Sequence, residues 1–339
     1  MFKKKASVIR TTYHPVVKLY MDVLKESFVN ADYNTVDITN NSKADKNSVI
    51  VTDSPLVGIK YILKGYKRNC IWYQGISPEE SYFKNRSKIK YLILSWIEKK
   101  AMKKAQLLLF VSDEMKRFYE KKYKLNLSEK SVIMPCFNEQ GIVESAFYDD
   151  KYKTNNFVYL GGLQKWQCFE ETVKVYTEIE KKSTKPTKFF VFTAQKKLAL
   201  ETLKKHGAKN YDVDFVAPDE LSERIKGFKY GFVLREDNPV NNVATPTKFS
   251  NYLSNGIIPI YSDCIKSFTE YDKSLNLGVV CNINNFESDV DKILSHMDAD
   301  ITSNEIKAKC QTAFSNYYNQ AKYIEIISKK VKEVFNTKF

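Results

Sequence analysis

The chain has 339 residues, 43% of them hydrophobic and 28% charged. It is too long for one hydrophobic core and too apolar for a disordered, collagenous or coiled-coil protein. Lysine and arginine outnumber acids 54 to 40, a formal charge of +14, and such an excess points to an anionic partner: nucleic acid, a phosphorylated substrate or an acidic membrane surface.

Short β-branched runs alternate with helical patterns from the start. Ser7–Thr11 reads as a strand, and an amphipathic helix follows from Pro15 to about Val29. Thr35–Thr39 and Ser48–Thr52 read as buried parallel strands. A helix from Pro55 leads to the strand Cys70–Tyr73, and a helical stretch from about Ser87 to Lys104 precedes the strand Leu107–Val111. Ser112 reads as the N-cap of DEMKRFYEKKY, which has acids in its first turn and lysines in its last.

The pattern restarts after Asn155, so the polar stretch Asn138–Asn155 reads as a linker. Strands are expected at Asn156–Leu160, Lys188–Phe192, Asp212–Val216, Tyr230–Leu234 and Ile257–Tyr261. Helices are expected at Phe169–Lys182, Thr247–Leu253 and, as one long element, about Ser303–Phe335. Two such series predict an α/β protein of two Rossmann-like doubly wound domains facing across a cleft, residues 1–150 and 151–310. Ligands of such sheets sit beyond the carboxyl ends of the strands.

The six cysteines form no C-x-x-C pair, so neither a zinc site nor a disulfide framework is indicated and a reducing compartment fits. No run reaches the ~18 apolar residues of a membrane-spanning helix, and MFKKKASVIRTTYH lacks the apolar region of a secretory signal. A cytoplasmic location is expected, with contact to the inner face of the cytoplasmic membrane left open.

Two segments carry the candidate chemistry. Gly161-Gly162-Leu163-Gln164-Lys165-Trp166 follows a strand and precedes a helix, where backbone N–H groups can approach an anion and Lys165 can meet a phosphate. The plain alternative is a strand-to-helix turn with a solvated lysine. Neither G-x-G-x-x-G nor G-x-x-x-x-G-K-[ST] occurs, which removes most support for dinucleotide oxidoreductases and P-loop ATPases. In the second segment, Leu234–Ser262, Arg235 follows a strand and Lys248 falls in the first turn of a helix, with Pro246 near N1 and Thr245 as N-cap. A cation there opposes the helix dipole unless an anion compensates. Ion pairs of Arg235 and Lys248 with Glu236 and Asp237 are the competing reading.

FVYLGGLQKW followed by ATPTKFSNYLSNGIIPIYS resembles the donor-binding half of GT-B-fold glycosyltransferases, nearest to the retaining enzymes of bacterial surface-polysaccharide synthesis of the capsule and O-antigen type. Their pattern P-x-K-x-x-E-Y-x-x-x-G-x-P is met at Pro246, Lys248, Tyr252, Gly256 and Pro259. WYQGISPEES, from Trp72, resembles their acceptor-side loop. The resemblance implies a metal-independent hexosyl- or related transferase with no cofactor beyond the nucleotide sugar itself. Arg235 and Lys248 would bind the donor diphosphate and stabilise the leaving nucleotide, helped by Gly161, Gly162 and Lys165. The backbone at Val216 and Ala217 would border the base, with Thr245, Thr247 and Asn251 on the donor. The final helix, 311–339, would cross back to the N-terminal domain. Asn251 departs from the glutamate that holds ribose hydroxyls in relatives, and Val243 from an earlier glutamate; an amide gives no charge-assisted bond to a hydroxyl.

On the acceptor side the candidates are His14, Gln74, Gly75, Glu79 and Glu80, although Pro78 with two acids also simply opens a helix. Residues 84–104 hold seven lysines, Arg86 and one acid, Glu98, with Tyr91, Leu92, Leu94 and Trp96 between them. Such a segment suits an anionic membrane surface or a lipid-diphosphate-linked acceptor, or is an ordinary solvated face. The absence of a recognition motif speaks against nucleic acid. Three D-x-D triplets, at Asp212, Asp289 and Asp298, keep a metal-dependent transferase as a rival, and Asn251 with Val243 keeps a catalytically silent nucleotide-binding or partner subunit as another.

Overall fold

The computed structural model describes residues 4–12, 15–282 and 286–336. Contacts divide the chain into two units. One holds Met1–Asn138, Val243–Thr245 and Asn319–Phe339; the other holds Glu139–Asn242 and Pro246–Tyr318.

The first unit runs β1 (Lys4–Ile9), α1 (Pro15–Asn30), β2 (Tyr33–Asp37), β3 (Val49–Thr52), α2 (Pro55–Leu63) and β4 (Asn69–Tyr73). It continues through α3 (Ser77–Asn85), α4 (Lys88–Lys104), β5 (Leu107–Phe110), α5 (Asp113–Tyr123) and β6 (Ser131–Ile133). Its six strands are parallel in the order β2-β1-β3-β4-β5-β6. The central strands β3, β4 and β5 are buried along their whole length, as expected of a parallel sheet covered on both faces. The edge strand β2 is buried only at Tyr33 and ends in exposed Asp37, a charge that discourages further pairing.

The second unit contains α6 (Asp149–Lys153), β7 (Asn156–Leu160), α7 (Phe169–Lys182), β8 (Lys188–Phe192), α8 (Lys196–Lys205), β9 (Tyr211–Asp214) and α9 (Leu221–Ile225). After these come β10 (Tyr230–Val233), α10 (Pro239–Asn242), α11 (Lys248–Ser254), β11 (Ile258–Ser262), α12 (Lys266–Leu275), β12 (Val279–Cys281), α13 (Phe286–Asp298) and α14 (Ser303–Asn316). Its sheet is also parallel, in the order β12-β11-β10-β7-β8-β9. The last helix, α15 (Gln320–Asn336), belongs to the first unit and lies on α1. There the carbonyl of Phe335 accepts from Arg68 Nη2 at 2.7 Å and from the Tyr33 hydroxyl at 3.3 Å.

Two expectations need correction. The long helix over 303–335 is two helices: α14 ends at Asn316, and Asn319 Oδ1 accepts from the Lys322 N–H at 3.0 Å, starting α15 afresh. The stretch read as a linker is anchored within the second unit. Val143 N–H donates to Ser254 O at 2.8 Å, and the Ser254 hydroxyl donates to Gly141 O at 2.7 Å. The Tyr152 hydroxyl reaches Gly256 O at 2.8 Å, and buried Lys151 donates to the carbonyls of Ala146 and Asn255. These bonds satisfy carbonyls that the end of α11 leaves open.

Strand order locates the sites. In the first sheet it reverses between β1 and β3; in the second, between β7 and β10. Crevices open at the carboxyl ends of strands on either side of such a reversal.

Candidate functional site

At the switch point of the second unit, β7 leads into Gly161 and β10 into Leu234 and Arg235. Gly161 has φ +108°, a conformation costly for any residue with a Cβ. A Cβ there would also meet Lys248 Cε at 3.3 Å and Nζ at 3.6 Å. The glycine thus brings the turn's backbone against the lysine amine.

Lys248 is the first residue of α11, preceded by Thr247, whose side chain makes no capping bond. Thr245 is therefore not the N-cap: its hydroxyl accepts from Cys136 N–H at 2.9 Å, within the first unit. Asn251 lies on α11 with 7% of its surface exposed, and its Oδ1 has no hydrogen-bond partner among the described residues. Val243 is buried in the first unit, where its carbonyl accepts from the Ser112 hydroxyl, itself the N-cap of α5 as expected.

Gln167 joins the two cations. Its Oε1 accepts from Arg235 Nη2 at 2.5 Å and from Lys248 Nζ at 2.9 Å, and its carbonyl accepts from Arg235 Nη1 at 3.1 Å. Arg235 is buried, Lys248 part-buried, and the Lys248 amine lies 4.3 Å from the centre of the Tyr159 ring. Neither cation makes an ion pair with any described residue. The Glu236 N–H donates to Cys168 Sγ and Asp237 accepts from Asn242, so the competing ion-pair reading fails. Burial, and next the neighbouring Arg235 charge, pushes the Lys248 ammonium well below the usual lysine range. Two cations thus share one neutral oxygen, an arrangement an anion would relieve.

Lys165 is exposed, with no side-chain partner among the described residues, and stands apart from this hydrogen-bonded set. Leu163 N–H, after Gly162, donates to Gln195 Oε1 at 2.8 Å. Gln195 also borders an open depression at the carboxyl ends of β8 and β9, lined by Ala194, Lys196, Leu198 and Phe215 among others. Val216 and Ala217 are half-buried next to Phe215, which is 54% exposed. Gln167 and Phe215 were not among the expected residues. Gln167 carried no local signal, and Phe215's was an aromatic at a strand end.

The acceptor-side candidates fare differently. His14 lies outside the described residues. Gln74 is exposed and donates to Asp53 O at 3.2 Å; the Gly75 carbonyl accepts from the Tyr119 hydroxyl at 2.9 Å. A Cβ on Gly75 would strike Glu80 Oε1 at 2.0 Å, so the glycine makes room for that carboxylate, whose pKa burial raises. Glu79 is instead drawn into the unit: its Oε1 lies 2.7 Å from Lys122 Nζ and accepts from the Tyr91 hydroxyl. Asp53, at the end of β3, went unforeseen; both its oxygens accept from Thr11 N–H and one from the Thr11 hydroxyl.

The D-x-D carboxylates are mostly engaged by cations: Asp212 by Lys188, Asp214 by Lys196 and Arg224, Asp291 by Lys182, Asp298 by Lys185. Asp289 is buried and accepts from Asn282 N–H.

No protein-family profile matches the sequence, and no curated protein does. Solved structures do match. Sucrose-phosphate synthase from Thermosynechococcus elongatus aligns with 99% of this chain and 100% of its own at 10% identity, TM-score 0.68. The lipopolysaccharide outer core galactosyltransferase WaaB aligns over 97% and 99% at 10% identity, TM-score 0.66. A Staphylococcus aureus TarM variant in complex with fondaparinux, α-GlcNAc-glycerol and UDP aligns over 94% of this chain at 12% identity, TM-score 0.63; the chain spans 59% of TarM's length. The fold is GT-B. At these identities the likeness extends to the fold alone.

Proposed function

We propose that this GT-B protein is a glycosyltransferase that moves a sugar from a nucleotide-diphosphate sugar to a saccharide or lipid-linked acceptor in the assembly of a surface polysaccharide of the capsule or O-antigen type. The observation that carries the reading is the pair Arg235 and Lys248, without a carboxylate partner among the described residues, converging on Gln167 Oε1 at the switch point of the second sheet.

A donor diphosphate replaces that neutral oxygen with anionic ones. When the bond between the sugar's anomeric carbon and the diphosphate breaks, negative charge grows on the leaving phosphate, where Arg235 and Lys248 stand ready. The Gly162 N–H serves the same anion, the N–H groups of Gly161 and Leu163 being held by Phe192 O and Gln195 Oε1. The base lies beside Val216 and Ala217, with Phe215 as a stacking face, and Thr247 and Asn251 line the donor's path. We read the chemistry as retaining and metal-independent, the two cations taking the part of a divalent ion. Glu80 is the acceptor-side carboxylate still available to orient a hydroxyl.

Thermal unfolding with nucleoside diphosphates and their sugars tests this. A ligand at a hundredfold excess over its Kd adds about 2.7 kcal/mol of stability, so one nucleotide class should raise Tm while matched monophosphates raise it less. Turnover should survive EDTA. No response to any nucleotide diphosphate would overturn the reading. A second reading is kept by Asn251, whose neutral amide stands in a buried site: a subunit that binds the nucleotide without transfer or hydrolysis would show the Tm rise and no product.

A further inference from the structure

The outward face of α4 is used by neither sheet. Ile89, Leu92, Ile93 and Trp96 follow the i, i+3, i+4, i+7 spacing of one helical stripe and are 73%, 65%, 55% and 55% exposed. Tyr91, expected among the outward aromatics, turns inward to Glu79 instead. Lys88 and Lys90 flank the stripe, and Lys100, Lys103 and Lys104 prolong it toward the helix end, all exposed and none ion-paired with a described residue. Glu98, the one acid of 84–104, is buried, where its oxygens accept from the hydroxyls of Tyr119 and Tyr123. The surface of α4 is therefore an apolar stripe inside a rim of uncompensated cations. Exposed apolar stripes of this kind mark contact surfaces, and the rim selects the partner.

We propose that α4 seats the protein on an anionic lipid bilayer, with Ile89, Leu92, Ile93 and Trp96 entering the boundary between headgroups and acyl chains and the lysines meeting lipid phosphates. A second copy of the chain fits poorly, because pairing two such faces brings like-charged rims together. Among the described residues no helix is long and apolar enough to cross a membrane, so the contact is peripheral. The helix is braced from beneath by α2 and α3, and its outward side chains can be changed without touching the core. This inference stands apart from the transferase reading.

The test is flotation of the full chain with phosphatidylcholine vesicles, with and without phosphatidylglycerol. The expected result is binding only to the anionic vesicles and release by salt. Lys88→Glu/Lys90→Glu/Lys103→Glu should weaken binding by about fivefold or more per lysine. Leu92→Glu/Trp96→Glu should abolish it at an unchanged Tm. Lys248→Ala should float like the parent, which keeps this result separate from the donor site. Equal binding to neutral vesicles, variants that bind like the parent, or self-association that Leu92→Glu dissolves in place of vesicle binding would each overturn the proposal.

Discussion

Both sheets are parallel with one reversal of strand order, and they arm their switch points in opposite ways. In the first unit the described charged groups beside the crevice between β1 and β3 are partnered: Asp53 accepts from Thr11, and Arg10 reaches Asp22 at 2.5 Å with Asp37 at 3.9 Å. In the second, Arg235 and Lys248 meet neutral acceptors, the Gln167 amide oxygen that they share and, for Arg235, the carbonyls of Gln167 and Leu234. The same fold thus supplies one polar crevice that has balanced its own charge and one that has not. A crevice with uncompensated cations is a place for an anion; a balanced one is suited to neutral hydroxyl-bearing ligands or to holding the unit together.

The sharpest way to break this contrast is Lys248→Ala. Loss of one donor to a developing anion lowers turnover by about 10²–10³-fold, and the nucleotide-dependent Tm rise should vanish. Asp53→Asn, at the opposite crevice, should leave that rise intact. Unchanged kinetics in Lys248→Ala would end the donor-site assignment. Glu79→Gln is next: it removes a part-buried ion pair with Lys122 and should lower unfolding stability by roughly 2 kcal/mol, read from urea denaturation, with nucleotide affinity unaffected. Glu80→Gln should do the reverse, sparing stability and lowering turnover.

Gln167→Glu converts the neutral bridge into a counter-ion for both cations. It should raise the ligand-free Tm and weaken nucleotide-diphosphate binding about tenfold or more, since a charged hydrogen bond of roughly 1.5–3 kcal/mol must be exchanged. The smallest effect sharpens the electrostatics. The Lys248 pKa is depressed in the free protein and a bound diphosphate raises it again, so binding takes up protons at pH values above the depressed pKa. Affinity then falls as pH rises toward the ordinary lysine range. Calorimetry in buffers of different ionisation enthalpy should show the uptake, and Lys248→Met should lose it.

Much of this was legible in the chain. Asn156–Leu160, Lys188–Phe192 and Phe169–Lys182 fall where periodicity places them, because buried parallel strands and a one-sided helix write their environment into local pattern. Arg235 and Lys248 were legible through their offsets from a strand end and a helix start. Gln167 was not: its partners stand 68 and 81 residues on, and an amide in a turn gives no local hint of a shared oxygen. The ion pair of Glu79 was hidden for the same reason, its partner Lys122 standing on another helix. The break after α14 escaped notice because helical periodicity runs on through Tyr317 and Tyr318, with neither proline nor glycine to interrupt it. The three-residue edge strands β6 and β12 are too short to carry a period.

The anchoring of residues 139–153 bears on how the protein can be divided. A second-unit fragment begun at Asn155 would strip hydrogen-bond donors from the carbonyls of Ser254, Asn255 and Gly256, beside the very helix that bears Lys248. A first-unit fragment ended at Asn138 would leave α1 without its α15 cover. Excision therefore succeeds only with a cut ahead of Glu139 for one piece and a grafted tail, 319–339, for the other.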